Sequence, residues 1–299
     1  MQMIEMGPGL KFSRIIQGFW RLTGGFPGDW HLSTKDLVEF LGKRFELGVT
    51  TLDSAEGYGA GECEVQLGRA LREFRRDQYQ VVTKAGICVN RVPRMFFYYD
   101  TTYSWITTKC RESIEKLGCH YIDLFLIHRE DPMIDHHEVA RAFADLKKEG
   151  LIREAGVSNF DPFKFNALNK AMGGKLRTNQ VELHPCCFEH FNSGMMDVLQ
   201  SERIRPMVWS PLAGGRIATS DGEPYVKARA VCSELAGKYG VSLDTLVFAW
   251  ILNHPVGALP IVGSSRLERL QEAIDALDLR LEREDWYRIY VASGQQKIR

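Results

Sequence analysis

The sequence predicts an α/β fold in which eight parallel strands, each followed by a helix, close into a (β/α)₈ barrel. Eight short apolar runs alternate with amphipathic segments along the 299 residues. Eight such units favour a closed barrel over an open doubly wound sheet. No G-x-G-x-x-G motif follows the first run, although open-sheet dinucleotide-binding folds usually carry one. We therefore expect a single barrel domain over residues 1–299.

The eight predicted strands share an apolar composition without clean alternation, as in the stretches VVTK and LFLIH. This composition is typical of strands that are covered on both faces. In chain order they are Ile15–Gly18, Thr50–Asp53, Gln80–Lys84, Tyr121–His128, Ile152–Val157, Thr178–Glu182, Pro206–Ser210 and Ala258–Val262.

The segments between the strands have helical periodicity. The clearest is Thr34–Leu47, where Ser33 and Asp36 resemble a capping box and Gly48 provides a stop. An extra C-terminal helix is predicted at Glu282–Ala292. Other predicted helices are Tyr103–Leu117, Glu138–Lys148 and Phe163–Ala171.

Two connections are longer than average, Gly86–Thr101 and Leu212–Pro224. Each follows a predicted strand, so we expect both loops on the top face of the barrel, where active sites form.

Composition excludes several classes of partner. The 38 basic and 38 acidic residues balance, and no basic stripe indicates binding to nucleic acid. No apolar run reaches about 18 residues, so we expect no membrane span. The seven scattered cysteines do not form a disulfide framework, and no signal peptide is evident, so we expect reduced thiols and a cytoplasmic protein. A monomer is the default expectation.

Four ionisable residues fall at or just after predicted strand ends: Asp53, Tyr58, Lys84 and His128. Each alone has an ordinary structural explanation, such as a helix cap, a solvated charge or a packing residue. Together, on three consecutive strands, they form a coherent acid–base set at the face where barrel enzymes bind substrates.

Seven motifs carry a resemblance to the aldo-keto reductase superfamily, and most closely to its bacterial oxidoreductase branches. The resemblance extends over nearly the whole chain. The motifs are TLDSAEGYG at 51–59, VVTKAG at 81–86, LFLIHRED at 124–131, GVSNF at 156–160, NQVELHP at 179–185, WSPLAGG at 209–215 and PIVGSSRLERL at 260–270.

The resemblance implies reduction of an aldehyde or ketone to an alcohol with NADPH, and it assigns the catalytic tetrad to Asp53, Tyr58, Lys84 and His128. Tyr58 would be the general acid. The Lys84 ammonium would favour the phenolate and make the proton easier to give up, since a phenol has an ordinary pKa near 10. Asp53 would anchor Lys84, and His128 would orient the substrate carbonyl.

The resemblance also implies a NADP(H) site. Ser158, Asn159 and Gln180 match the residues that hold the nicotinamide carboxamide, and Trp209 matches an aromatic residue that stacks on the ring. The matches to the pyrophosphate loop are Ser210, Leu212, Gly214 and Arg216.

At the adenosine end the family motif is only partly kept. Ser264, Arg269 and Glu272 match it, whereas Gly263 stands where the family has a lysine. Arg266 is a candidate substitute for that lysine. Two arginines near a helix start favour a phosphate, and therefore NADP over NAD.

Trp20, Phe26 and Trp30 are candidates for an apolar substrate pocket, although they could equally pack loops onto the barrel. Glu130 and Asp131, which follow His128, would add negative charge near the mouth and mildly disfavour acidic substrates.

Two other classes of function compete with this interpretation. A cofactor-binding regulatory barrel resembling the potassium-channel β-subunits is the main alternative, and the intact tetrad argues against it. A metal-dependent hydrolase would need clustered histidines and carboxylates on several strand ends, which the sequence does not provide, so no metal is expected.

Overall fold

Eight parallel strands form a closed barrel in the computed structural model, which describes residues 1–23, 29–90 and 96–298. Around the barrel the strands follow one another in chain order, and the last neighbours the first. The predicted (β/α)₈ fold is confirmed. The barrel strands are β3 (Ile16–Gly18), β4 (Thr51–Asp53), β5 (Gln80–Ala85), β8 (Ile122–Ile127), β9 (Ile152–Ser158), β10 (Leu176–Glu182), β11 (Met207–Trp209) and β12 (Leu259–Val262).

In the described parts of the chain, two hairpins lie outside the barrel, and the sequence predicted neither of them as strands. The first, at the N-terminus, pairs β1 (Met3–Gly7) with β2 (Leu10–Ser13). The second pairs β6 (Ile87–Asn90) with β7 (Phe96–Tyr99) in the connection that was predicted as a long loop. The side chains of β7 are all exposed, so this strand has no buried face that a sequence pattern would reveal.

Helices fill the connections between the strands. The helix predicted at residues 103–117 has those bounds, and the predicted C-terminal helix is present as the last in the chain. In order they are α1 (Thr34–Glu46), α2 (Glu62–Leu71), α3 (Tyr103–Leu117), α4 (His136–Lys148), α5 (Pro162–Ala171), α6 (Glu189–Asn192), α7 (Met195–Ser201), α8 (Arg216–Thr219), α9 (Glu223–Tyr239), α10 (Leu243–Leu252), α11 (Leu267–Asp275) and α12 (Arg283–Ala292).

The predicted capping box at the start of α1 is present. The Ser33 hydroxyl accepts a hydrogen bond from the Asp36 N–H at 3.2 Å, and the Asp36 carboxylate accepts from the Ser33 N–H at 3.3 Å. The helix ends before Gly48, whose φ of 77° lies in the left-handed region that a residue with a side chain rarely adopts.

The chain divides into two compact units, Met1–Gln180 and Val181–Arg299. The prediction of one domain over residues 1–299 stays a prediction. In the first unit, the apolar faces of α1 and α2 pack in one cluster with barrel residues such as Leu52 and Val81.

In the second unit, the C-terminal helix α12 is held by an aromatic stack. The rings of Trp250 and Trp286 lie 5.3 Å apart and nearly parallel, and each indole N–H donates to the backbone carbonyl of the other residue. Both indole donors are thereby satisfied inside an apolar contact.

Among the described helices, no single one has both the length and the apolar composition of a membrane span; α9 and α10 pass that test only as a pair, across a bend of 93°.

Helices α2 and α3 approach each other closely at Gly68. A Cβ atom added to Gly68 would lie 2.8 Å from two backbone atoms of Leu117, which is closer than real Cβ atoms come. Backbone atoms cannot move aside as a flexible side chain can, so this contact requires glycine.

We expect Gly68→Ala to lower the free energy of unfolding by about 1–3 kcal/mol, as is typical of overpacking. Gly42→Ala in α1 is the matched control, because a Cβ there meets nothing within 4 Å. The control should gain up to about 1 kcal/mol from its better helix propensity and restricted unfolded chain. Urea unfolding measures both values, and equal effects of the two substitutions would contradict the close approach.

Candidate active site

The carboxyl ends of three adjacent strands carry three of the predicted residues. Parallel pairing places β5 between β4 and β8, so the strands end at one edge of the sheet. Asp53 ends β4, Lys84 is the fifth residue of β5, and His128 directly follows β8. The His128 N–H donates to the Ala85 carbonyl at 2.8 Å, which continues the strand pairing beyond β8.

The Lys84 ammonium is fully buried and makes three hydrogen bonds. Its Nζ donates to Asp53 Oδ2 at 2.9 Å, to the Ser54 carbonyl at 2.7 Å and to the Tyr58 hydroxyl at 3.2 Å. Burial alone would lower the pKa of Lys84, but Asp53 and Tyr58 together raise it above its usual value. An ammonium has three hydrogens, so the site holds Lys84 charged with each hydrogen bonded.

The Tyr58 hydroxyl is positioned as a proton donor. Its oxygen accepts from Lys84, so its own hydrogen points away from the ammonium. Burial raises the pKa of Tyr58 above its ordinary value, and the Lys84 ammonium opposes that rise. The phenol therefore keeps its proton at neutral pH, while a stabilising charge stands ready for the phenolate.

His128 is a neutral imidazole beside the phenol. Burial lowers its pKa well below the usual value, and the positive charges of Lys84 and Arg129 lower it further. Its ring packs edge-to-face on Tyr58 with the centroids 5.6 Å apart. The buried Nδ1 atom has no hydrogen-bond partner among the described residues, so a polar group of the imidazole is left for a ligand.

An amide network adjoins this group. Gln180 Nε2 donates to Asp53 Oδ1 at 2.8 Å, and the Ser158 hydroxyl donates to the Gln180 carbonyl at 2.9 Å. Asn159 Nδ2 donates to Ser158 Oγ at 2.7 Å, and Asn159 has a left-handed backbone with φ of 59°. The predicted carboxamide-binding residues are thus joined in one network with Asp53, in which Asn159 is half-buried and the others are buried.

Sequence reasoning did not single out Glu56, which stands between Asp53 and Tyr58. Its side chain is 7% exposed, and its Oε1 accepts from the Gly86 N–H at 2.8 Å. Burial raises the pKa of Glu56 to about 7. The Gly86 N–H and the ammonium groups of Lys109 and Lys116 on α3 counteract this rise in pKa, whereas Glu64 on α2 adds to it. In the sequence, the signal for Glu56 was its position in the motif SAEGYG.

In the second unit, the loop after β11 has an unusual backbone. Ser210, Ala213, Gly214 and Gly215 all have positive φ angles between 49° and 98°. Within this turn the Ala213 N–H donates to the Ser210 carbonyl at 2.8 Å and the Gly215 N–H donates to the Leu212 carbonyl at 2.9 Å, so both donors are used inside the turn. Trp209 is partly exposed at the end of β11, and Leu212 lies within the same turn.

Arg216, at the start of α8, folds back on its own loop. Its Nε donates to the Ala213 carbonyl at 2.9 Å, and its guanidinium lies 5.2 Å from the ring centroid of Tyr225. Because the side chain is more than half exposed, the charge stays accessible next to the positive-φ turn.

The predicted adenosine-end residues of the second unit lie around the start of α11. Ser264 Oγ accepts from the Arg266 N–H at 3.2 Å. Burial and Glu272 raise the pKa of Asp244, whereas Arg269 and Arg266 lower it, so all four charged groups are close enough to interact. Asp244 precedes these residues by 20 positions or more, so the sequence motif did not include it. Two acids thus partly offset the two arginines.

The predicted pocket aromatics fall into different settings. Trp30 packs on Phe19 and Phe40, with ring centroids 5.7 and 5.1 Å apart, and so covers the first unit's core. Trp20 is 45% exposed. Phe26 lies outside the described residues.

The charges after His128 differ from the expected ones. Asp131 is buried and accepts from the Thr101 hydroxyl and the Met133 N–H, both at 2.8 Å. Glu130 accepts from Lys164 at 3.3 Å. These partners offset part of the negative charge that the sequence predicted from Glu130 and Asp131. Arg129, which the sequence analysis did not single out, adds a positive charge that acts on Tyr58 and His128.

Glu182, His184 and Cys187 place potential metal ligands within 4.8 Å of one another. His184 Nδ1 accepts from the Cys186 N–H at 3.1 Å, so Nε2 carries the ring proton and faces Glu182 Oε1 at 3.3 Å. A metal-binding nitrogen must be unprotonated, and the observed arrangement is therefore a hydrogen-bonded pair.

The barrel, the Tyr58–Lys84–Asp53 contact and the neighbouring imidazole define a class of carbonyl-reducing barrel enzymes. A sequence profile of the aldo/keto reductase family matches residues 14–292. This chain belongs to the aldo/keto reductase family.

Named relatives extend over the whole chain. It is 38% identical to the uncharacterized oxidoreductase YcsN of Bacillus subtilis, covering 98% of both chains. It is 34% identical to a 6-dehydroglucose reductase of Agrobacterium fabrum, covering 99% of both. An aldo/keto reductase from Klebsiella pneumoniae, solved in complex with NADP and acetate, superposes with a TM-score of 0.78 at 26% identity, covering 97% of this chain and 95% of that one.

We expect Glu56→Gln to stabilise the protein increasingly as the pH rises from about 4.5 to about 7. The folded pKa of Glu56 lies above its unfolded value, so ionisation of the unfolded chain in this window lowers wild-type stability. A shift from 4.5 to about 7 corresponds to about 3 kcal/mol, and glutamine keeps an oxygen for the Gly86 N–H. Urea unfolding at several pH values measures the difference between the two proteins.

Glu39→Gln is a control of opposite sign. The pKa of this exposed glutamate is lowered by Lys43, so its contribution to stability is present above the unfolded pKa and disappears in acid. A stability difference for Glu56→Gln that does not change between pH 4.5 and 7 would refute a raised pKa.

Proposed function

We propose that this protein reduces an aldehyde or ketone to the alcohol with NADPH, with Tyr58 as the general acid. One observation carries the proposal: the Tyr58 hydroxyl oxygen accepts a hydrogen bond from the buried Lys84 ammonium, which itself is anchored on Asp53. The phenol hydrogen points away from Lys84, and a fixed positive charge lies beside the phenol oxygen. This arrangement suits the protonation of an oxygen that is gaining negative charge.

Each residue of the tetrad then has a separate task. The neutral His128 imidazole donates to the carbonyl oxygen and orients it. Tyr58 transfers its proton to that oxygen as the alcohol forms. Lys84 stabilises the resulting phenolate, and Asp53 keeps Lys84 in place. When bound, NADPH supplies the hydride for the carbonyl carbon.

The donor set of the first unit fits a nicotinamide carboxamide. A carboxamide both donates and accepts, and Ser158, Asn159 and Gln180 offer a hydroxyl and two amides held by mutual bonds. In the second unit, Trp209 offers a flat ring for stacking, and Arg216, next to the positive-φ turn, offers a guanidinium that suits a phosphate.

A sugar aldehyde is the first substrate class to test, because the 6-dehydroglucose reductase named above is a full-length relative. A decrease in NADPH absorbance with a panel of sugar, aliphatic and aromatic aldehydes tests the proposal. Binding of NADPH without turnover on any member would favour a regulatory barrel instead. The cytoplasmic location and the monomeric state remain predictions.

We expect Tyr58→Phe to lower kcat by about 10²–10⁴-fold, the usual contribution of a general acid, while the Kd for NADPH stays within about twofold. The hydroxyl is needed to give a proton and not to hold the cofactor. Tyr103→Phe is the matched control, because its hydroxyl bonds Asp145 at 3.0 Å on another helix. Wild-type turnover in Tyr58→Phe would remove Tyr58 from the mechanism.

We expect Arg269→Ala to weaken NADPH binding by about tenfold, or about 1.4 kcal/mol, and to leave NADH binding nearly unchanged. The guanidinium would pair with the 2′-phosphate that NADH lacks. Arg280→Ala serves as the control, because among the described residues this exposed arginine donates to backbone carbonyls of its own turn. Quenching of tryptophan fluorescence gives both affinities, and an equal loss for the two cofactors would contradict the assignment.

A further inference from the structure

Glu56 is bonded to the strand of Lys84 on both sides of Ala85. Its backbone N–H donates to the Lys84 carbonyl at 3.0 Å, and its side-chain Oε1 accepts from the Gly86 N–H at 2.8 Å. Gly86 has a φ of 113°, in the region that favours glycine, so the direction of its N–H depends on this residue type. Glu56 therefore clamps the loop onto the end of β5.

The other backbone hydrogen bonds of this loop do not duplicate the links that Glu56 makes to Lys84 and Gly86. The Ser54 N–H donates to the Val82 carbonyl at 2.9 Å, which holds the first residue of the loop. The Tyr58 N–H donates to the Ala55 carbonyl at 3.1 Å, which is internal to the loop. Glu56 therefore holds the loop to the end of β5 through one backbone bond, to Lys84, and one side-chain bond, to Gly86.

Packing alone does not explain a carboxyl group at this position. The side chain is 93% buried, and its Oε2 atom has no hydrogen-bond partner among the described residues. A buried polar oxygen without a partner destabilises a fold relative to an apolar side chain. The remaining oxygen is the one that reaches the Gly86 N–H.

We propose that Glu56 is a positioning residue, whose carboxyl group ties the Tyr58 loop to Gly86 and thereby sets the contact between the Tyr58 hydroxyl and Lys84. This inference rests on the proposed function. The Tyr58–Lys84 distance of 3.2 Å is at the long end for a hydrogen bond, so a small outward shift of the loop would break the contact.

Three variants test the proposal. Glu56→Ala removes the link to Gly86 and should lower kcat at least tenfold with little change in KM, because displacement of a catalytic group impairs chemistry more than binding. Glu56→Gln keeps an acceptor for the Gly86 N–H and should restore most of the lost turnover. Glu138→Ala is the matched control, since Glu138 also accepts from a backbone N–H, that of Tyr103 at 2.9 Å on α3, and it should keep wild-type kcat.

Two outcomes would overturn the proposal. One is a folded Glu56→Ala protein with wild-type kcat, and the other is a Glu56→Gln protein as impaired as Glu56→Ala. If Glu56→Ala does not fold, Glu56→Asp takes its place, because it withdraws the carboxyl group from Gly86 by one methylene and should also lose turnover.

A second readout does not need a substrate. The ultraviolet difference titration of a protein with and without Tyr58→Phe isolates the ionisation of Tyr58 among the ten tyrosines. Loss of the Lys84 contact should raise the pKa of Tyr58 in the Glu56→Ala background, because the ammonium lowers that pKa more than Arg129 does. An unchanged Tyr58 pKa would contradict the positioning role, whereas a wild-type protein inactive on all carbonyls would contradict only the proposed function.

Discussion

The buried Lys84 ammonium is the group on which the rest of the site depends. Taking a charge out of water costs several kcal/mol unless partners replace its hydration. Here Asp53, the Ser54 carbonyl and the Tyr58 hydroxyl accept its three hydrogens, and Gln180 in turn donates to Asp53. Each partner is held by a strand end or by the loop that follows it, so the barrel geometry and the charged site stabilise each other.

The same burial determines the protonation of the two groups that face this charge. Burial raises the pKa of Tyr58 and lowers that of His128, so both side chains are neutral near neutral pH. The positive charges of Lys84 and Arg129 act in the same direction on both groups, since they lower each pKa. The result is an uncharged donor pair next to a cation, which suits an oxygen that becomes negative during reaction.

In the second unit, the positive and negative side chains around the start of α11 are evenly balanced. Arg266 and Arg269 suggest a phosphate site when read from the sequence, but Asp244 and Glu272 are near enough to affect the same electrostatics. Preference for a phosphorylated cofactor then depends on which groups the phosphate reaches, and not on the number of arginines. The positive-φ turn after β11 uses the Ala213 and Gly215 N–H groups for its own hydrogen bonds, so its accessible charge comes from the Arg216 guanidinium.

The sequence alone determined the eight barrel strands, the capped helix α1 and the candidate tetrad, because these depend on local composition and on the rule that parallel strands end at one edge. It could not reveal the hairpin of β6 and β7, whose exposed aromatic residues have no core pattern. Nor could it assign roles to Glu56 or Asp244. A carboxyl group acquires such a role from its burial and from partners distant in sequence, and only the tertiary structure decided these. The tertiary structure likewise decided that burial outweighs the Lys84 charge, so that the pKa of Tyr58 is raised.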